Sequence, residues 1–311
     1  MKNYPIFYPS VSSVAKNRLT ALEHIEILCA LNHPNFLISA YDIFHFDDSE
    51  QKIFKELYQN MIQNDTDLII DSGMYERVWA RDNSWSFKNY KKTIKDMKYN
   101  FVFNFDEYIN PKDIPFEEIV KSIKSSKIVR LSPVLHTNKI TDLPNLCLKV
   151  AKLNEVEVIA IPERELGNGI IEGINTILKI RQKLSTLEKC TKIHLLGTGN
   201  PLSLLLYSAF GVDSFDGLDW CQTVVDYESA TLHHSLQLDF YAHQSKLGGM
   251  NEISYNTRVL AHNLEFYLLW MNEINKEIEN NSIQDMLKYY LPKSILSDVL
   301  RMYREYYETT N

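Results

Sequence analysis

The sequence predicts a single α/β domain, a (β/α)₈ TIM barrel with additional C-terminal helices. Two observations favour this fold. Short apolar, β-branched segments recur along the chain, and a stretch with helical spacing of apolar residues follows each of them. No Gly/Ser-rich or Pro-rich linker and no internal repeat interrupts the 311 residues. We therefore expect one domain, with the barrel at about 4–220 and a helical part at about 221–311.

Eight segments are predicted as strands. Eight alternations of strand and helix are typical of a closed parallel barrel, and an open, doubly wound sheet is the main alternative. In chain order the segments are PIFYPSV, NFLISAY, DLIID, FVFNFDE, KIVRLSPV, EVIAIPE, KIHLLGT and SFDGLDW.

Helices are predicted between these strands and after the last of them. Apolar residues at helical spacing indicate helices over 19–32 and 169–184. The alternation stops after Trp220, and residues 252–279 have the pattern of a long amphipathic helix that further helices follow.

Composition limits the class of protein. The net charge of −7 argues against a generally cationic nucleic-acid binder, although a local basic patch is compatible with it. No apolar run is long enough to cross a bilayer, and the opening MKNYPIFYPSVSS lacks the apolar core of a signal peptide. We expect a cytoplasmic protein without a membrane partner. The cysteines lie far apart with no C-x-x-C pair, which predicts reduced thiols at Cys29, Cys147, Cys190 and Cys221.

Polar side chains follow the predicted strands at their carboxyl ends. In a parallel barrel these ends and the loops after them form the mouth, where catalytic groups lie. An Asp at such a position can also cap the next helix, so each residue taken alone has a structural explanation. Together the set predicts a catalytic site that comprises Asp71, Asp106, Glu107, His136, Glu163 and Asp216.

The segment IIDSGMYER combines several functional groups. Asp71 and Ser72 supply a carboxylate and a hydroxyl, Gly73 lets a ligand approach the backbone, and Tyr75 can stack on a flat ligand. An N-cap followed by a turn is the structural alternative.

The segment LLGTGNP looks like a phosphate-binding loop. It lacks the third glycine and the Lys-Ser/Thr that such loops carry. A tight turn into a helix that starts near Pro201 is the expected structure.

Six motifs in order resemble those of tRNA-guanine transglycosylases and their relatives. The motifs are FLISAYDIFH, IIDSGMYER, FNFDEY, LLGTGNP, GVDSFDG and AHNLEFY, and they extend from about Asn35 to Tyr267. The family fold is a (β/α)₈ barrel. The resemblance implies base exchange at a nucleoside: a carboxylate attacks C1′, guanine leaves, and a 7-deazaguanine base attacks the covalent intermediate.

The resemblance also implies roles for individual residues. Asp216 matches the nucleophile, Asp71 the acid/base aspartate and Asp106 the aspartate that binds the edge of the base. Tyr75 and Leu196 match the residues that sandwich the base, Ser72 and Gly197 line the same pocket, and His136 takes the approximate position of a glutamine.

Elementary chemistry agrees with a pair of carboxylates. Substitution at an anomeric carbon needs one carboxylate near C1′ and a second group that manages the proton of the leaving base. Neighbouring acids also move each other's pKa values apart, so that one stays ionised while the other transfers a proton. Asp216 and Asp71 are the expected pair, and Asp213 and Asp219 are expected to cap helices or form ion pairs.

The chain departs from the tRNA enzymes in its metal-binding region. Those enzymes bind zinc through three cysteines and a histidine, and here His262 matches the histidine while Cys221 is the only cysteine between Asp216 and it. A substitute zinc site is one interpretation, formed by His233, His234, His243 and His262. We expect instead no cofactor, with His262 as a buried, hydrogen-bonded residue.

Further departures favour DNA as the substrate. GLDWCQTVVDYES replaces the arginine-rich segment after the nucleophile, and FYPSVSS and FDGLDW resemble the branch that inserts 7-deazaguanines into DNA. A 7-deazaguanine such as 7-cyano-7-deazaguanine is the expected incoming base. Two alternatives stay open: a tRNA enzyme with a degenerate zinc region, and a non-catalytic, transglycosylase-like subunit that binds nucleic acid.

One basic segment is the candidate nucleic-acid contact. It comprises Arg81, Lys88, Lys91, Lys92, Lys95 and Lys98, with Trp85 and Tyr90 interleaved, and a solvated helix face is an equal alternative. Lys121, Lys124, Lys127 and Arg130 form a weaker second run. The chain shows no ATPase motif, so we expect a helicase-like or ATPase partner to open duplex DNA.

Overall fold

The computed structural model describes residues 5–15, 18–105 and 116–310. Eight parallel strands form one sheet in the order β5-β4-β3-β2-β1-β8-β7-β6. They are β1 (Ile6–Val11), β2 (Asn35–Ser39), β3 (Asp67–Asp71), β4 (Phe101–Phe103), β5 (Leu131–Ser132), β6 (Val158–Pro162), β7 (Lys192–Leu196) and β8 (Ser214–Gly217).

The two ends of this sheet meet just beyond β5. A parallel bridge joins Val134 to Ala160 of β6. The Ala160 N–H donates to the Pro133 carbonyl over 3.0 Å, and the Leu135 N–H donates to the Ala160 carbonyl over 2.9 Å. The predicted barrel is thereby confirmed, and the open, doubly wound alternative is wrong.

Each strand lies within its predicted segment, but several strands are shorter than predicted. In KIVRLSPV only Leu131 and Ser132 belong to β5, since the positive φ of Arg130 interrupts the extended backbone just before them. In FVFNFDE, β4 ends at Phe103.

Helices surround the barrel and continue beyond it. Predicted helices 19–32, 169–184 and 252–279 correspond to α1, α8 and α12. The helices are α1 (Ala21–Ala30), α2 (Ala40–His45), α3 (Asp48–Gln63), α4 (Met74–Ala80), α5 (Phe87–Ile94), α6 (Phe116–Ser126), α7 (Leu143–Ala151), α8 (Ile170–Leu184), α9 (Pro201–Ala209), α10 (Asp219–Gln222), α11 (Leu238–Tyr241), α12 (Tyr255–Glu279), α13 (Ile283–Tyr290) and α14 (Lys293–Thr310).

An antiparallel hairpin follows the barrel, where the sequence predicted helices alone. It consists of β9 (Thr223–Asp226) and β10 (Thr231–His234). Asn263 of α12 fixes it, because its Oδ1 accepts from the Val225 N–H over 3.0 Å and its Nδ2 donates to the Thr223 carbonyl over 2.7 Å. A buried amide on α12 thus supports a pair of strands too short for the sequence pattern to indicate.

Apolar side chains fill the inside of the barrel. His194 of β7 lies among them fully buried, with its ring 5.2 Å from that of Phe103 and 5.7 Å from that of Phe101. The other interior residues are Tyr8, Leu37, Ile69, Val158 and Ala160. A histidine in such a core needs polar partners, and these lie at the carboxyl end of the barrel.

No helix in the described ranges is both long and apolar enough to cross a membrane.

Candidate active site

A cleft of about 1050 Å³ opens at the carboxyl ends of the strands. Its volume lies at the upper end of the range for small-molecule sites. Of the residues predicted for the catalytic site and the base pocket, Asp106 and Glu107 lie outside the described residues, and Gly73 is not among the residues that line the cleft. The cleft is lined by the others, namely Asp71, Ser72, Tyr75, His136, Glu163, Leu196, Gly197 and Asp216.

Asp216 lies on β8, paired in register with Tyr8 of β1. Ser10 Oγ donates to its Oδ2 over 2.6 Å, and Oδ1 accepts from His194 Nε2 over 3.1 Å and from the Gly197 N–H over 3.3 Å. Its exposed fraction is 8%. Three donors fix the carboxylate in one orientation while one side faces the cleft, as a nucleophile requires.

His194 is a site residue that the sequence analysis did not identify. A carboxylate only accepts hydrogen bonds, so the ring proton of His194 lies on Nε2, which donates to Asp216. Nδ1 then accepts from Ser214 Oγ over 2.8 Å. The signal in the sequence was a histidine between the apolar residues Ile193 and Leu195 of a predicted strand. His194 supports Asp216 from below, as the orienting partner of an active-site group does.

Asp71 ends β3, on the other side of β1 and β2 from Asp216. Burial raises the pKa of Asp71 to about 6, against the opposing effect of the Gly73 N–H, and the negative charge of Asp216 adds to the rise. The Gly73 N–H donates to Oδ2 over 2.8 Å. A carboxyl whose pKa is raised toward neutrality is suited to accept and release a proton.

Gly73 has a structural role at this site. Its φ of +79° lies in the left-handed region, and a Cβ there would lie 2.3 Å from Tyr41 Cβ. Only glycine fits this turn, which begins α4 and directs the N–H at Asp71. Trp85 holds the same turn, because its Nε1 donates to the Ser72 carbonyl over 3.0 Å.

Two further carboxyl groups lie beside Asp71 and were not predicted. Glu76 of α4 lines the cleft but is 3% exposed, and Ser12 Oγ donates to its Oε1. Burial raises the pKa of Glu76 to about 8, with the charges of Asp42 and Asp71 adding to the rise. Burial also raises the pKa of Asp42 to about 6. No local pattern relates Asp42 to Glu76, because they lie on different helices.

Aromatic and polar groups form the walls of the cleft. Tyr75 is 47% exposed, and its ring lies 6.2 Å from that of Trp79 in an edge-to-face arrangement. His136 Nδ1 and Glu165 Oε1 are 2.5 Å apart. Burial raises the pKa of Glu163, which also lines the cleft. A flat ligand with polar edges suits such walls.

The two other aspartates near Asp216, Asp213 and Asp219, have different surroundings. Asp213 forms an ion pair with Arg181 and accepts the Ile193 N–H over 2.7 Å, so the predicted pairing is confirmed. Asp219 begins α10 and lines the cleft, where burial raises its pKa.

The loop LLGTGNP turns into a helix as expected, since α9 begins at Pro201. Asn200 caps it by accepting from the N–H groups of Leu202 and Ser203. The Thr198 N–H donates to the Asp216 carbonyl over 2.6 Å, which ties the loop to β8.

His262 is a buried residue with both ring nitrogens in hydrogen bonds. Nε2 donates to the Val225 carbonyl and Nδ1 accepts from Ser245 Oγ, each over 2.8 Å. Within the described ranges, no three His, Cys, Asp or Glu side chains are arranged to hold a metal ion. The residues proposed as a substitute zinc site, His233, His234, His243 and His262, therefore do not fit that metal.

The basic segment after α4 has its cations exposed and its aromatic residues buried. Trp85 is 1% exposed and Tyr90 is fully buried, so the prediction that they interleave with the cations on the surface is wrong. Both pack into the core, where the Tyr90 hydroxyl donates to the Phe103 carbonyl over 2.5 Å. The exposed cations are Arg81, Lys88, Lys91, Lys92, Lys95 and Lys98.

Comparison with known proteins does not identify a family for this chain. A scan against protein-family models finds no matching family, and a search of curated proteins finds no match. The similarity to guanine transglycosylases therefore stays a prediction from the six motifs.

Proposed function

We propose that this chain is a base-exchange transglycosylase that replaces guanine in DNA by a 7-deazaguanine, such as 7-cyano-7-deazaguanine. One observation carries the proposal: Asp71 and Asp216 line the same cleft in different environments. Three donors hold Asp216, whereas burial and the charge of Asp216 raise the pKa of Asp71 to about 6. Such a pair suits substitution at an anomeric carbon.

The reaction divides into two half-reactions. An Asp216 oxygen attacks C1′, the bond from C1′ to N9 of guanine breaks, and the base leaves with its electron pair and a proton that Asp71 delivers. Asp71 then accepts the proton of the incoming base, whose nitrogen attacks C1′ and releases the Asp216 carboxylate. No proton and no electron is gained or lost over the cycle.

The walls of the cleft support a planar substrate. Tyr75 and Leu196 offer apolar surfaces for stacking, and the Gly197 backbone and Ser72 offer polar contacts at the edge of a base. Removing a base from its stack is easiest in single-stranded or unpaired nucleic acid. We therefore expect the isolated protein to prefer single-stranded DNA to an intact duplex.

The distribution of charged residues favours one place for the base and another for the phosphates. Carboxyl groups dominate the cleft, with Arg164 as the cation among its described lining residues. Tyr75, Val78 and Trp79 of α4 form part of its wall, and Arg81 follows at the end of that helix. Phosphates, which need cations, are expected on the exposed basic surface from Arg81 to Lys98.

A labelled-guanine exchange assay tests the proposal on single-stranded DNA, duplex DNA and tRNA in parallel. Release of labelled guanine from DNA in the presence of 7-cyano-7-deazaguanine, with the deazaguanine deoxynucleoside detected by mass spectrometry, is the expected result. Exchange in tRNA alone supports the tRNA enzyme instead. Binding of DNA without any exchange, with partner proteins supplied, supports the non-catalytic subunit.

A further inference from the structure

The exposed face of α4 is apolar, which reverses the usual polarity of a helix on a protein surface. Tyr75, Val78 and Trp79 stand at i, i+3 and i+4, the spacing of one helix face, and their exposed fractions are 47%, 44% and 57%. The buried residue of this helix is instead the acidic Glu76. Packing within the chain therefore does not explain the apolar face, and such patches mark binding surfaces.

This apolar face belongs to the cleft. Among the exposed large apolar side chains of the described ranges, Tyr75, Val78 and Trp79 are the three that line it. Asp71 ends β3 and α4 begins at Met74, so the face starts beside Asp71 and leads away from it along the helix. A ligand that is bound at Asp71 and extends out of the cleft along α4 covers this face.

The two aromatic rings of the face differ in orientation. The centroids of the Tyr75 and Trp79 rings are 6.2 Å apart, and the ring planes are inclined by 67°. Flat groups that stack on both rings are therefore not parallel to each other. Neighbouring bases in a duplex are parallel, whereas a base turned out of its strand is unstacked from its neighbour. The pair of rings thus suits two successive bases of an opened strand.

The charges beyond this face indicate the class of ligand. Arg81 ends α4, and α5 follows with further exposed lysines, Lys88, Lys91 and Lys92. Aromatic side chains that stack on bases, next to cations that follow the phosphates, are typical of proteins that bind single-stranded nucleic acid. A purely apolar partner surface would not need these cations.

We propose that Trp79 is a stacking platform for the base next to the target guanine in single-stranded DNA. The proposal rests on the proposed function, because it takes DNA as the ligand of the cleft. Tyr75 stacks on the target base, Trp79 on the base beside it, and the phosphates follow the cations from Arg81 onward. The site then requires an opened strand with a neighbouring base, whatever the identity of that base.

Binding of short single-stranded oligonucleotides tests the platform. The probes are an oligonucleotide with one guanine and two copies in which an abasic site replaces the base on the 5′ or the 3′ side of that guanine. The unmodified protein should bind the intact probe about 5–150-fold more tightly than one of the abasic probes, the range for stacking of one base. Trp79→Ala should lose this preference, and Trp79→Phe, which keeps a ring, should retain most of it.

Phe240→Ala is the matched control, because it removes an exposed aromatic ring of α11, away from the residues that line the cleft. It should keep the preference of the unmodified protein. Trp79→Ala should leave the Tm and the slope of log K against log salt unchanged, because the ring is exposed and stacking neutralises no phosphate. A Trp79→Ala protein that still prefers the intact probe as strongly as the unmodified protein overturns the platform.

Intrinsic fluorescence gives a second measurement. The chain has four tryptophans, all in the described ranges, and Trp79 is the exposed one, while Trp85, Trp220 and Trp270 are buried. The intact probe should quench the emission of the unmodified protein and not that of Trp79→Phe. Equal quenching in both overturns the stacking. Self-association that Trp79→Ala abolishes, without quenching by DNA, assigns the face to a second copy of this chain and also overturns the proposal.

The platform and the proposed function fail separately. Base exchange by a protein whose preference for the intact probe does not depend on Trp79 overturns the platform and leaves the proposed function standing. Preference and quenching that depend on Trp79, in a protein without base exchange when partner proteins are supplied, support the platform and overturn the catalytic function.

Discussion

His194 donates its Nε2 proton to Oδ1 of Asp216 over 3.1 Å, from a fully buried position inside the barrel. Ser214 Oγ, at 2.8 Å from Nδ1, fixes the opposite side of the ring. The histidine contacts the carboxylate from the barrel interior, and the carboxylate still lines the cleft. Asp216 is thus held by a residue that is itself held by the barrel core.

Replacing His194 by Phe should slow base exchange without unfolding the protein. The phenyl ring suits a site among Tyr8, Phe101 and Phe103 but donates nothing to Asp216. Loss of a hydrogen bond to a charged group costs about 1.5–3 kcal/mol, which corresponds to roughly tenfold to a hundredfold in rate. The control is His24→Phe, at another fully buried histidine, which packs on Trp220. Equal effects of both variants on kcat would contradict a positioning role for His194.

Asp216→Asn should abolish exchange while the fold survives. Asparagine has nearly the same shape but lacks the negative charge that attacks C1′. Melting temperature, exchange rate and a protein–DNA adduct on denaturing gels are the measurements. If Asp216 were only a structural residue, its replacement would cost about 1–3 kcal/mol of stability, and activity would fall only as far as the fold does. Exchange near the wild-type rate would remove the nucleophile assignment and the main support for a transglycosylase.

Asp71→Asn should lower the exchange rate by about 10²–10⁴-fold, the range for loss of a general acid/base. An adduct on Asp216 can still accumulate, because the nucleophile is intact. Folding raises the pKa of Asp71 from 3.8 to about 6, so its contribution to stability is present below pH 3.8 and is lost as pH rises to 6. The free energy of unfolding of the unmodified protein, relative to the variant, should fall by about 1–3 kcal/mol over that range. Parallel stability curves would indicate that burial does not perturb this carboxyl.

Gly217→Ala should damage the site through the backbone. A Cβ at Gly217 would lie 2.8 Å from the Gly199 nitrogen and 3.1 Å from the Thr198 carbonyl carbon. The loop that carries the Gly197 N–H must then move away from Asp216. We expect about 1–3 kcal/mol of destabilisation and a larger loss of exchange than the melting temperature alone explains. Gly249→Ala, where the nearest atom lies 3.5 Å away, is the control, and similar behaviour of both variants would argue against a tight fit.

The basic surface is tested through the salt dependence of DNA binding. Replacing Lys88, Lys91 and Lys92 by Ala should weaken binding of single-stranded DNA and reduce the slope of log K against log salt by about 0.7 for each phosphate that is no longer neutralised. Lys121→Ala/Lys124→Ala, on the exposed surface of α6, is the comparison. If DNA binding weakened in the α6 variant and not in the α5 variant, the DNA contact would lie on α6, and the proposed basic surface would be wrong.

Local patterns in the sequence determined the main features of the fold. Strand segments and helices could be located because hydrophobic periodicity is a property of neighbouring residues, and eight alternations indicated the barrel. Asp71 and Asp216 could be selected because carboxyl ends of parallel strands meet at one mouth. The same reasoning failed for Tyr90 of α5 and for Trp85 in the loop before it, because lysines near an aromatic residue do not reveal whether that residue faces the core.

The partners of the two aspartates depended on tertiary structure. Ser10 and Asp216 are 206 positions apart, and Ser12 and Glu76 are 64 apart. Their contacts exist because the strands pair in a particular register and the barrel closes, and no local pattern encodes either of these. The burial that raises the pKa values of Asp71 and Glu76 has the same origin, since a carboxyl is desolvated by residues distant in the chain. The sequence by itself located Asp71 and Asp216 at the mouth of the barrel, whereas the folded barrel brought Glu76 beside them and raised the pKa values of Asp71 and Glu76 through burial.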